Sequence, residues 1–294
     1  MECKGRFAPS PSGRMHLGNV YAALMSWLSV KRKGGKWLLR IEDLDPQRSR
    51  LEYAKWIEDD LHWLGLDWDE GGLDGIGPNG PYLQSQRSDL YNETLRKLSC
   101  RGLTYPCRCT RADNLSANAP HQSDGRVIYS GRCRPSAAPP FPQVDDDAGA
   151  AIRIFAPDET IEFHDIFQGP QRFNLARDCG DFILRRKDGV AAYQLAVVVD
   201  DALMGVTEVV RGEDLLLSAA QQIYLFRELG YNPPDYGHIP LLKNASGQRL
   251  SKRDASQSME ELRRIHTPAS LLGLLAHQAG LRPTSDPVSP EVLL

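Results

Sequence analysis

The sequence predicts an α/β protein with a parallel sheet, and three consecutive segments carry that prediction. A short strand from Gly5 to Ala8 runs into a turn of prolines and glycine, Pro9 to Gly13. Apolar residues then recur at helical spacing from Leu17 to Leu28, and Gly34 and Gly35 end the helix. Residues Lys36 to Glu42 form a second strand, rich in Trp, Leu and Ile. This strand, helix and strand are typical of a parallel α/β unit.

The following elements are predicted from capping residues and alternation. Asp45 and Pro46 suit the N-cap and first turn of a helix that runs to Gly65. A second amphipathic helix spans Ser85 to about Arg101. Further along we expect strands near Ile152, Ile161, Phe182 and Val190, a strand Thr207 to Val210, a helix Leu215 to Leu229, a strand His238 to Leu242, a loop Asn244 to Asp254 and a final helical segment.

The composition is that of an ordinary soluble enzyme. With 294 residues, 41% of them hydrophobic and 25% charged, the chain can bury a sizeable core. The net charge of -3 argues against a protein that coats nucleic acid. Short cationic clusters at 31–36 and 185–187 can supply phosphate contacts, but such clusters are more often solvated helix ends and turns. The aliphatic run Leu195 to Val199 is stopped by two aspartates, and the N-terminus shows no basic and apolar leader. We therefore expect a cytoplasmic protein with no membrane span.

A first candidate site lies where the first strand hands over to the helix, in the segment Arg6 to Asn19. The N-terminus of a helix presents free backbone N–H groups, which stabilise an anion such as a nucleotide phosphate. Gly18 allows a ligand to approach the backbone, and His16 can donate a hydrogen bond to developing negative charge. A single histidine at a helix start is also commonly a capping or packing residue.

A second candidate is the cationic segment Arg249 to Arg253. Three cations in five residues are often no more than a solvated turn. If the segment folds over the first site, Lys252 neutralises charge on a triphosphate as pyrophosphate leaves.

The third candidate is a cysteine cluster. Cys107, Cys109 and Cys133 bracket a polar loop and suit a structural, tetrahedral Zn²⁺ that needs one more ligand. From the residues alone, His121 is the first choice for that ligand. Free cysteines are the alternative interpretation, and the remaining cysteines are isolated.

Together these segments resemble the paired nucleotide-binding motifs of class I aminoacyl-tRNA synthetases, HIGH near the start and KMSKS near the end. Three further segments are similar to those of the glutamyl branch of this family: residues 7–13, Arg40 to Pro46 and Val209 to Leu215. Asn19 stands where many class I enzymes carry a second His, as is usual in this branch. Arg249 and Leu250 replace Lys and Met and keep the charge and the apolar filler.

The resemblance implies a set of site residues. For L-glutamate they are Arg6, Phe7, Ala8, Pro9, Ser10, Glu42, Tyr193 and Arg211; for ATP with Mg²⁺, His16, Gly18, Asn19, Arg249, Ser251 and Lys252; for catalysis, His16 and Lys252; for zinc, Cys107, Cys109, Tyr129 and Cys133. Arg6 and Arg211 can each hold a carboxylate in a bidentate contact, and Glu42 suits the amino group. Which arginine takes the side-chain carboxylate stays open, as does the choice between Tyr129 and His121. Read alone, Tyr193 and Glu42 suit a strand residue and a structural ion pair.

The resemblance also implies the organisation of the chain. We expect a Rossmann-type nucleotide-binding core, with its first half in 1–104 and its second in 191–242. Residues 105–190 form a zinc-binding, acceptor-like insertion with a flexible loop at 135–150, where prolines, alanines and aspartates prevail. Residues 243–294 hold the KMSKS-type loop and a short helical segment.

Only about 40 residues follow the second motif, too few for an anticodon-reading domain. The chain therefore resembles glutamyl-Q tRNA(Asp) synthetases, which activate glutamate without tRNA and attach it to the queuosine base at the wobble position of tRNA(Asp). We expect a monomer whose partners are L-glutamate, ATP and tRNA(Asp) carrying queuosine. The alternatives are a truncated enzyme charging the 3′ end of tRNA(Glu), a catalytically silent zinc-containing tRNA-binding paralogue, and another class I nucleotidyl transferase.

Overall fold

The structure is a computed structural model that describes residues 2–110, 113, 128–136, 149–240, 242 and 257–294. Its strands are β1 (Lys4–Phe7), β2 (Lys36–Leu39), β3 (Glu70–Gly71), β4 (Thr104–Cys107), β5 (Ala151–Ile154), β6 (Thr160–Asp165), β7 (Gly169–Asn174), β8 (Phe182–Arg185), β9 (Glu208–Gly212) and β10 (Asp235–Ile239). Its α-helices are α1 (Leu17–Lys31), α2 (Leu51–Leu64), α3 (Ser88–Cys100), α4 (Tyr193–Leu203), α5 (Leu216–Glu228), α6 (Met259–Ile265) and α7 (Pro268–Gln278). Short 3₁₀ turns cover Gln84–Arg87, Glu213–Leu215 and Pro290–Leu293, and a π turn covers Leu175–Cys179.

The core is a five-stranded parallel sheet in the order β10-β9-β1-β2-β3, which confirms the predicted fold class. The chain winds outward from β1 in one direction through β2 and β3, and later returns to build β9 and β10 on the other side. The strand order therefore reverses between β1 and β9. In open α/β sheets, ligands bind at the carboxyl ends of the strands beside such a reversal.

Helix α1 packs closely on this sheet because β1 offers a glycine at the contact. A Cβ atom on Gly5 would come within 2.3 Å of Val30 Cγ2, so only glycine allows this approach. Val20 and Leu24 of α1 are fully buried, as are Trp37 and Leu39 near them. The position of the α1 N-terminus at the sheet edge is thus fixed by core packing.

Two smaller sheets follow the first half of the core. Strands β4, β5 and β8 form an antiparallel sheet, and β6 and β7 form a hairpin. The end of the hairpin contacts β10, where the N–H of Ile166 donates to the carbonyl of Tyr236 at 2.8 Å. The hairpin therefore reaches the central sheet next to its carboxyl edge.

The predicted helix start at Asp45 and Pro46 is wrong. The Asp45 carboxylate accepts the N–H of Gln47 at 3.1 Å, which closes a local turn in place of a helix cap. Helix α2 begins six residues later at Leu51, after Arg50 donates its N–H to the carbonyl of Pro11. The predicted end at Gly65 is confirmed, since that glycine adopts a left-handed φ of 73°.

Between β8 and α4 the expected strand near Val190 is absent from the described chain. The N–H of Arg186 bonds to the carbonyl of Val190 at 2.8 Å and closes a turn, and only Ala191 makes a bridge to Arg185. Tyr193 then begins α4, so its interpretation as a strand residue is wrong. Alternation also failed to reveal β7, none of whose residues is fully buried.

Within the part of the chain that the structure describes, no helix is long and apolar enough to cross a bilayer. Most of the predicted loop 135–150 and the whole segment Asn244 to Asp254 lie outside the described residues.

Candidate active site

A cleft of about 900 Å³ opens at the carboxyl ends of β1, β9 and β10, at the reversal of strand order. Among its lining residues are all those in the described chain that the sequence assigned to glutamate or ATP: Arg6, Phe7, Ala8, Pro9, Ser10, His16, Gly18, Asn19, Glu42, Tyr193 and Arg211. The fold thus brings together segments that are up to about two hundred residues apart in sequence.

One wall of the cleft is the N-terminus of α1. His16 is the N-cap residue, and its backbone N–H donates to the Asn19 side chain at 3.1 Å. The first turn of α1 has no acidic residue, so the positive end of the helix dipole attracts an anion without a competing carboxylate. His16 is exposed at the cleft, yet the protein around it partly desolvates its ring and lowers its pKa, which favours the neutral imidazole. A Cβ atom on Gly18 would lie 3.3 Å from that ring, so glycine leaves the space above it open.

Arg249, Ser251 and Lys252 lie outside the described residues, but both flanks of their segment meet the cleft. On one side Leu242 lines it. On the other, the carbonyl of Gln257 accepts the N–H of Leu17 at 3.2 Å, and Met259 donates its N–H to the carbonyl of Met15 at 2.8 Å. The chain therefore returns directly beside His16.

Beneath the cleft lies a buried group of charges. The fully buried Arg40 contacts Asp201 at 2.6 Å and Glu42 at 3.2 Å, and its Nε lies 3.7 Å from Asp200. Arg6 is 5% exposed, and its Nε lies 3.5 Å from Asp201 without a hydrogen bond to any described residue. Burial raises the pKa of Glu42, and the lowering influence of Arg40 and Arg6 only partly offsets it. An incoming ammonium group would stabilise the anionic form.

This charge group was not identified from the sequence. Asp200 accepts hydrogen bonds from Gln84 at 2.8 Å, from Arg87 at 2.6 Å and from Tyr91 at 2.9 Å. Those partners are more than a hundred residues away along the chain. The signal that could have found it is the pair of aspartates ending an aliphatic run, because buried carboxylates require buried cations.

Arg211 occupies the opposite wall, at the end of β9. It is 4% exposed, and its guanidinium lies 5.2 Å from the centroid of the Tyr236 ring. Its Nη1 donates to Gln222 at 2.9 Å and to the hydroxyl of Tyr193 at 3.4 Å. Arg211 and Tyr193 therefore form one polar face of the cleft. Gln222 and His238, which hold Arg211, were also missed from the sequence.

The cysteine cluster begins at the end of β4, and none of its residues lines the cleft. The sulfur atoms of Cys107, Cys109 and Cys133 are all within 4.8 Å of one another. The Tyr129 hydroxyl lies 3.5 Å from the Cys107 sulfur and 3.7 Å from that of Cys109. Three thiols and a phenol oxygen are a donor set that can hold a metal ion in tetrahedral geometry. His121 lies outside the described residues.

The ring of Tyr129 is held by a buried arginine. The Arg153 guanidinium lies 3.7 Å from the ring centroid and donates to the carbonyl of Asp181 at 2.8 Å. The Cys133 N–H donates to the Tyr129 hydroxyl at 2.7 Å. The tyrosine is therefore oriented towards the thiols by contacts on its face and at its oxygen.

Comparison with known proteins adds a family to this geometry. Residues 2–283 match the family model described as tRNA synthetases class I (E and Q), catalytic domain. The glutamyl-Q tRNA(Asp) synthetase of Symbiobacterium thermophilum is 48% identical over 99% of this chain and 90% of that protein. The enzyme of that name from Nitratidesulfovibrio vulgaris is 47% identical over 98% of this chain and 90% of that protein.

Among solved structures, the chain is similar to a glutamate tRNA ligase from Elizabethkingia meningosepticum in complex with its amino acid. The TM-score is 0.81 at 28% identity, and the match covers 100% of this chain and 64% of that one. The chain thus spans about two thirds of the length of that ligase.

Proposed function

The chain belongs to the glutamyl-Q tRNA(Asp) synthetases, a family of class I tRNA synthetases, and from this premise we propose its reaction. It is a ligase-type enzyme that activates L-glutamate with ATP, without a tRNA, and transfers the glutamate to the queuosine base at the wobble position of tRNA(Asp). The observation that carries this proposal is the convergence of Arg6, Glu42, Arg211 and the α1 N-terminus on one cleft.

The first step makes glutamyl-adenylate. An oxygen of the glutamate α-carboxylate attacks the α-phosphorus of ATP, the bond to the bridging oxygen breaks, and pyrophosphate leaves. In the second step a hydroxyl of queuosine attacks the acyl carbon and AMP leaves, while the hydroxyl proton passes to solvent. Neither step needs a nucleophile from the protein. Catalysis therefore rests on orientation and on stabilisation of developing charge.

The cleft supplies complementary charges for glutamate. Arg6 and Arg211 are nearly fully buried cations that can each hold a carboxylate through two parallel N–H groups. Glu42 is the acceptor for the ammonium group, and Tyr193 adds a hydroxyl next to Arg211. A dicarboxylic amino acid matches this arrangement of two cations and one anion.

The nucleotide is assigned to the start of α1. Its phosphates lie against the positive end of the helix dipole, close to Gly18 and Asn19, and the neutral His16 donates to phosphate oxygen. The carbonyl of Gln257 accepts the N–H of Leu17 beside the cleft, and Lys252 is five residues before Gln257. Five extended residues span roughly 17 Å, so Lys252 can reach the triphosphate, together with Arg249 and Ser251. Mg²⁺ enters with ATP.

Zn²⁺ is the metal proposed for the cysteine cluster, with Cys107, Cys109, Tyr129 and Cys133 as ligands. It would cross-link the end of β4 to the segment 128–136 and so stabilise the insertion. Its role is structural, because the cluster lies outside the residues that line the cleft.

The proposal also covers the oligomeric state and the cellular location. The enzyme works as a monomer in the cytoplasm, where ATP and tRNA(Asp) carrying queuosine occur. We also propose that the chain is divided into two core halves, an insertion and a last segment. The core halves are 1–104 and 191–242, the insertion is 105–190 and the last segment is 243–294. Nothing in the described part of the site favours the alternative functions. A catalytically silent paralogue would be free to lose Arg6, Glu42 and Arg211, yet all line the cleft.

The decisive experiment offers radiolabelled glutamate to matched tRNA(Asp) preparations. One carries queuosine, one carries guanosine at the wobble position, and a third carries queuosine but lacks its 3′-terminal adenosine. The proposal predicts attachment to the first and third and background levels on the second. Attachment that needs the terminal adenosine and ignores queuosine would overturn it and identify an enzyme that charges the 3′ end.

A further inference from the structure

Behind Arg211 lies a chain of buried polar side chains that has no role so far in the proposed reaction. His238 of β10 lies directly beside Arg211 of β9 in the parallel register. Asp165, at the end of β6, reaches His238 from the hairpin. Asp165 and His238 are fully buried, and a third buried residue, Gln222 of α5, also contacts Arg211.

Asp165 is a fixed anion. Its Oδ1 accepts the backbone N–H groups of Phe167 at 3.0 Å, Gln168 at 2.9 Å and His238 at 3.0 Å. Its Oδ2 lies 2.5 Å from Nδ1 of His238. Burial alone would raise the pKa of Asp165, but these hydrogen bonds outweigh burial and lower it to about 2. The carboxylate therefore stays charged and immobile.

The hydrogen bonds determine the tautomer of His238. The Nε of Arg211 can only donate, and it lies 3.0 Å from Nε2 of His238, so Nε2 must be the acceptor. The proton of the neutral imidazole therefore resides on Nδ1 and is donated to Asp165. Burial lowers the pKa of His238, and the positive charge of Arg211 lowers it further. Asp165 and the Leu215 carbonyl raise this pKa, but they do not outweigh burial. A second proton, on Nε2 of His238, would point at the N–H of Arg211 Nε, so two donors would face each other.

Arg211 has five N–H donors, and this environment commits most of them. Nε donates to His238, Nη1 to Gln222 at 2.9 Å and Nη2 to the carbonyl of Leu215 at 3.3 Å. The contact of Nη1 with Tyr193 is longer, at 3.4 Å, and one N–H of Nη2 has no partner among the described residues. The two N–H groups that remain available are on adjacent nitrogens, as a bidentate carboxylate contact requires.

We infer that Asp165, His238 and Gln222 are positioning residues for glutamate: they fix the plane of the Arg211 guanidinium so that two N–H groups face a substrate carboxylate. The inference rests on the proposed function and adds to it a determinant of amino-acid binding that lies outside the cleft. None of the three residues lines the cleft. Among the residues assigned to substrate binding, the side chains of His238 and Gln222 contact Arg211, so they should affect the binding of glutamate and leave the binding of ATP unchanged.

Two substitutions at one position separate orientation from mere packing. In His238→Asn the shorter amide can still donate to Asp165 but offers Arg211 no acceptor. In His238→Gln the amide oxygen reaches the place of Nε2 and can accept from Arg211. The matched control is His164→Asn, the same change at an exposed position of β6 next to Asp165. The assay is glutamate-dependent exchange between ATP and pyrophosphate, with KM measured separately for glutamate and ATP.

His238→Asn should raise the KM for glutamate by about tenfold to a hundredfold, the effect of losing one hydrogen bond to a charged group. Its KM for ATP should stay within about twofold of the wild type. His238→Gln should recover most of the loss, and His164→Asn should behave as the wild type. An unchanged KM for glutamate in His238→Asn, an equal rise for both substrates, or identical behaviour of the Asn and Gln variants would overturn the inference.

The variant Gln222→Met provides a second test, which stays valid even if His238→Asn fails to fold. It removes the acceptor of Nη1 at similar volume and should raise the KM for glutamate by about threefold to thirtyfold. An unchanged KM there, with normal folding by circular dichroism, would likewise overturn the inference. Absence of glutamate-dependent exchange in the wild type would overturn the proposed function itself, so the two failures are distinguishable.

Discussion

Replacing Arg211 by lysine tests whether the cleft selects glutamate by geometry as well as by charge. Lysine keeps the positive charge but replaces a planar group of five donors by a single ammonium. In the structure Arg211 is 4% exposed and donates to His238 at 3.0 Å, to Gln222 at 2.9 Å and to Leu215 at 3.3 Å. An ammonium on a flexible stem cannot satisfy all three and still make a bidentate contact.

The expected loss for glutamate is that of one hydrogen bond between charged groups, about 1.5–3 kcal/mol, or roughly 10-fold to 150-fold in kcat/KM. Steady-state exchange of ATP with pyrophosphate at varied glutamate measures it. Arg172→Lys is the matched control, because the side chain of Arg172 is 75% exposed on β7. A kcat/KM for glutamate within about threefold of the wild type would refute the role given to the Arg211 guanidinium.

Four further predictions concern the rest of the molecule. Since the pKa of Glu42 is raised and an ammonium binds its anion, glutamate should bind more weakly as pH falls towards that raised pKa. Glu42→Gln should bind weakly at every pH. Calorimetry measures both, and a flat wild-type profile would contradict the assignment. Lys252→Ala should lower kcat for exchange by about 10²–10³-fold with little change in glutamate KM, and normal turnover would remove Lys252 from the site. Cys133→Ser, compared with Cys100→Ser, should lose bound zinc by elemental analysis and about 3 kcal/mol or more of stability, and retention of metal would count against the ligand set. The folded-state pKa of Asp60 is raised to about 6 by burial, so the unfolded state loses its proton first and Tm should fall as pH rises through about 6; Asp60→Asn should flatten this profile, and an unchanged slope would contradict it.

Much of the fold was predictable because its signals are local. Glycine ends α2 where the sequence indicated, and the helical spacing of Leu17 to Leu28 matches α1. Helix α4 was missed for a physical reason. Its residues Leu195 to Val199 are all buried, so no amphipathic pattern distinguishes this helix from a buried strand. Asp45 failed as a cap because its side chain closes a turn in competition with helix initiation.

The residues of the candidate site also differ in whether local sequence signals could reveal them. Residues within motifs, such as Arg6, His16 and Arg211, could be assigned to the cleft from the sequence because each motif concentrates them in a few positions. Arg40 and Asp201, which contact each other at 2.6 Å, are 161 residues apart, and their pairing exists only once the sheet has formed. His238 was missed similarly, since its role depends on its register beside Arg211. Motifs indicate which groups line the cleft, whereas the groups that hold them are set by tertiary contacts.

A crystal structure of the protein with a non-hydrolysable glutamyl-adenylate analogue tests the central claim most directly. We predict a glutamyl carboxylate within hydrogen-bond distance of the guanidinium groups of Arg6 or Arg211, the ammonium at Glu42, and the phosphate at the N-terminus of α1 beside His16. An analogue whose carboxylate touches neither arginine, or whose phosphate lies away from that helix, would contradict the account.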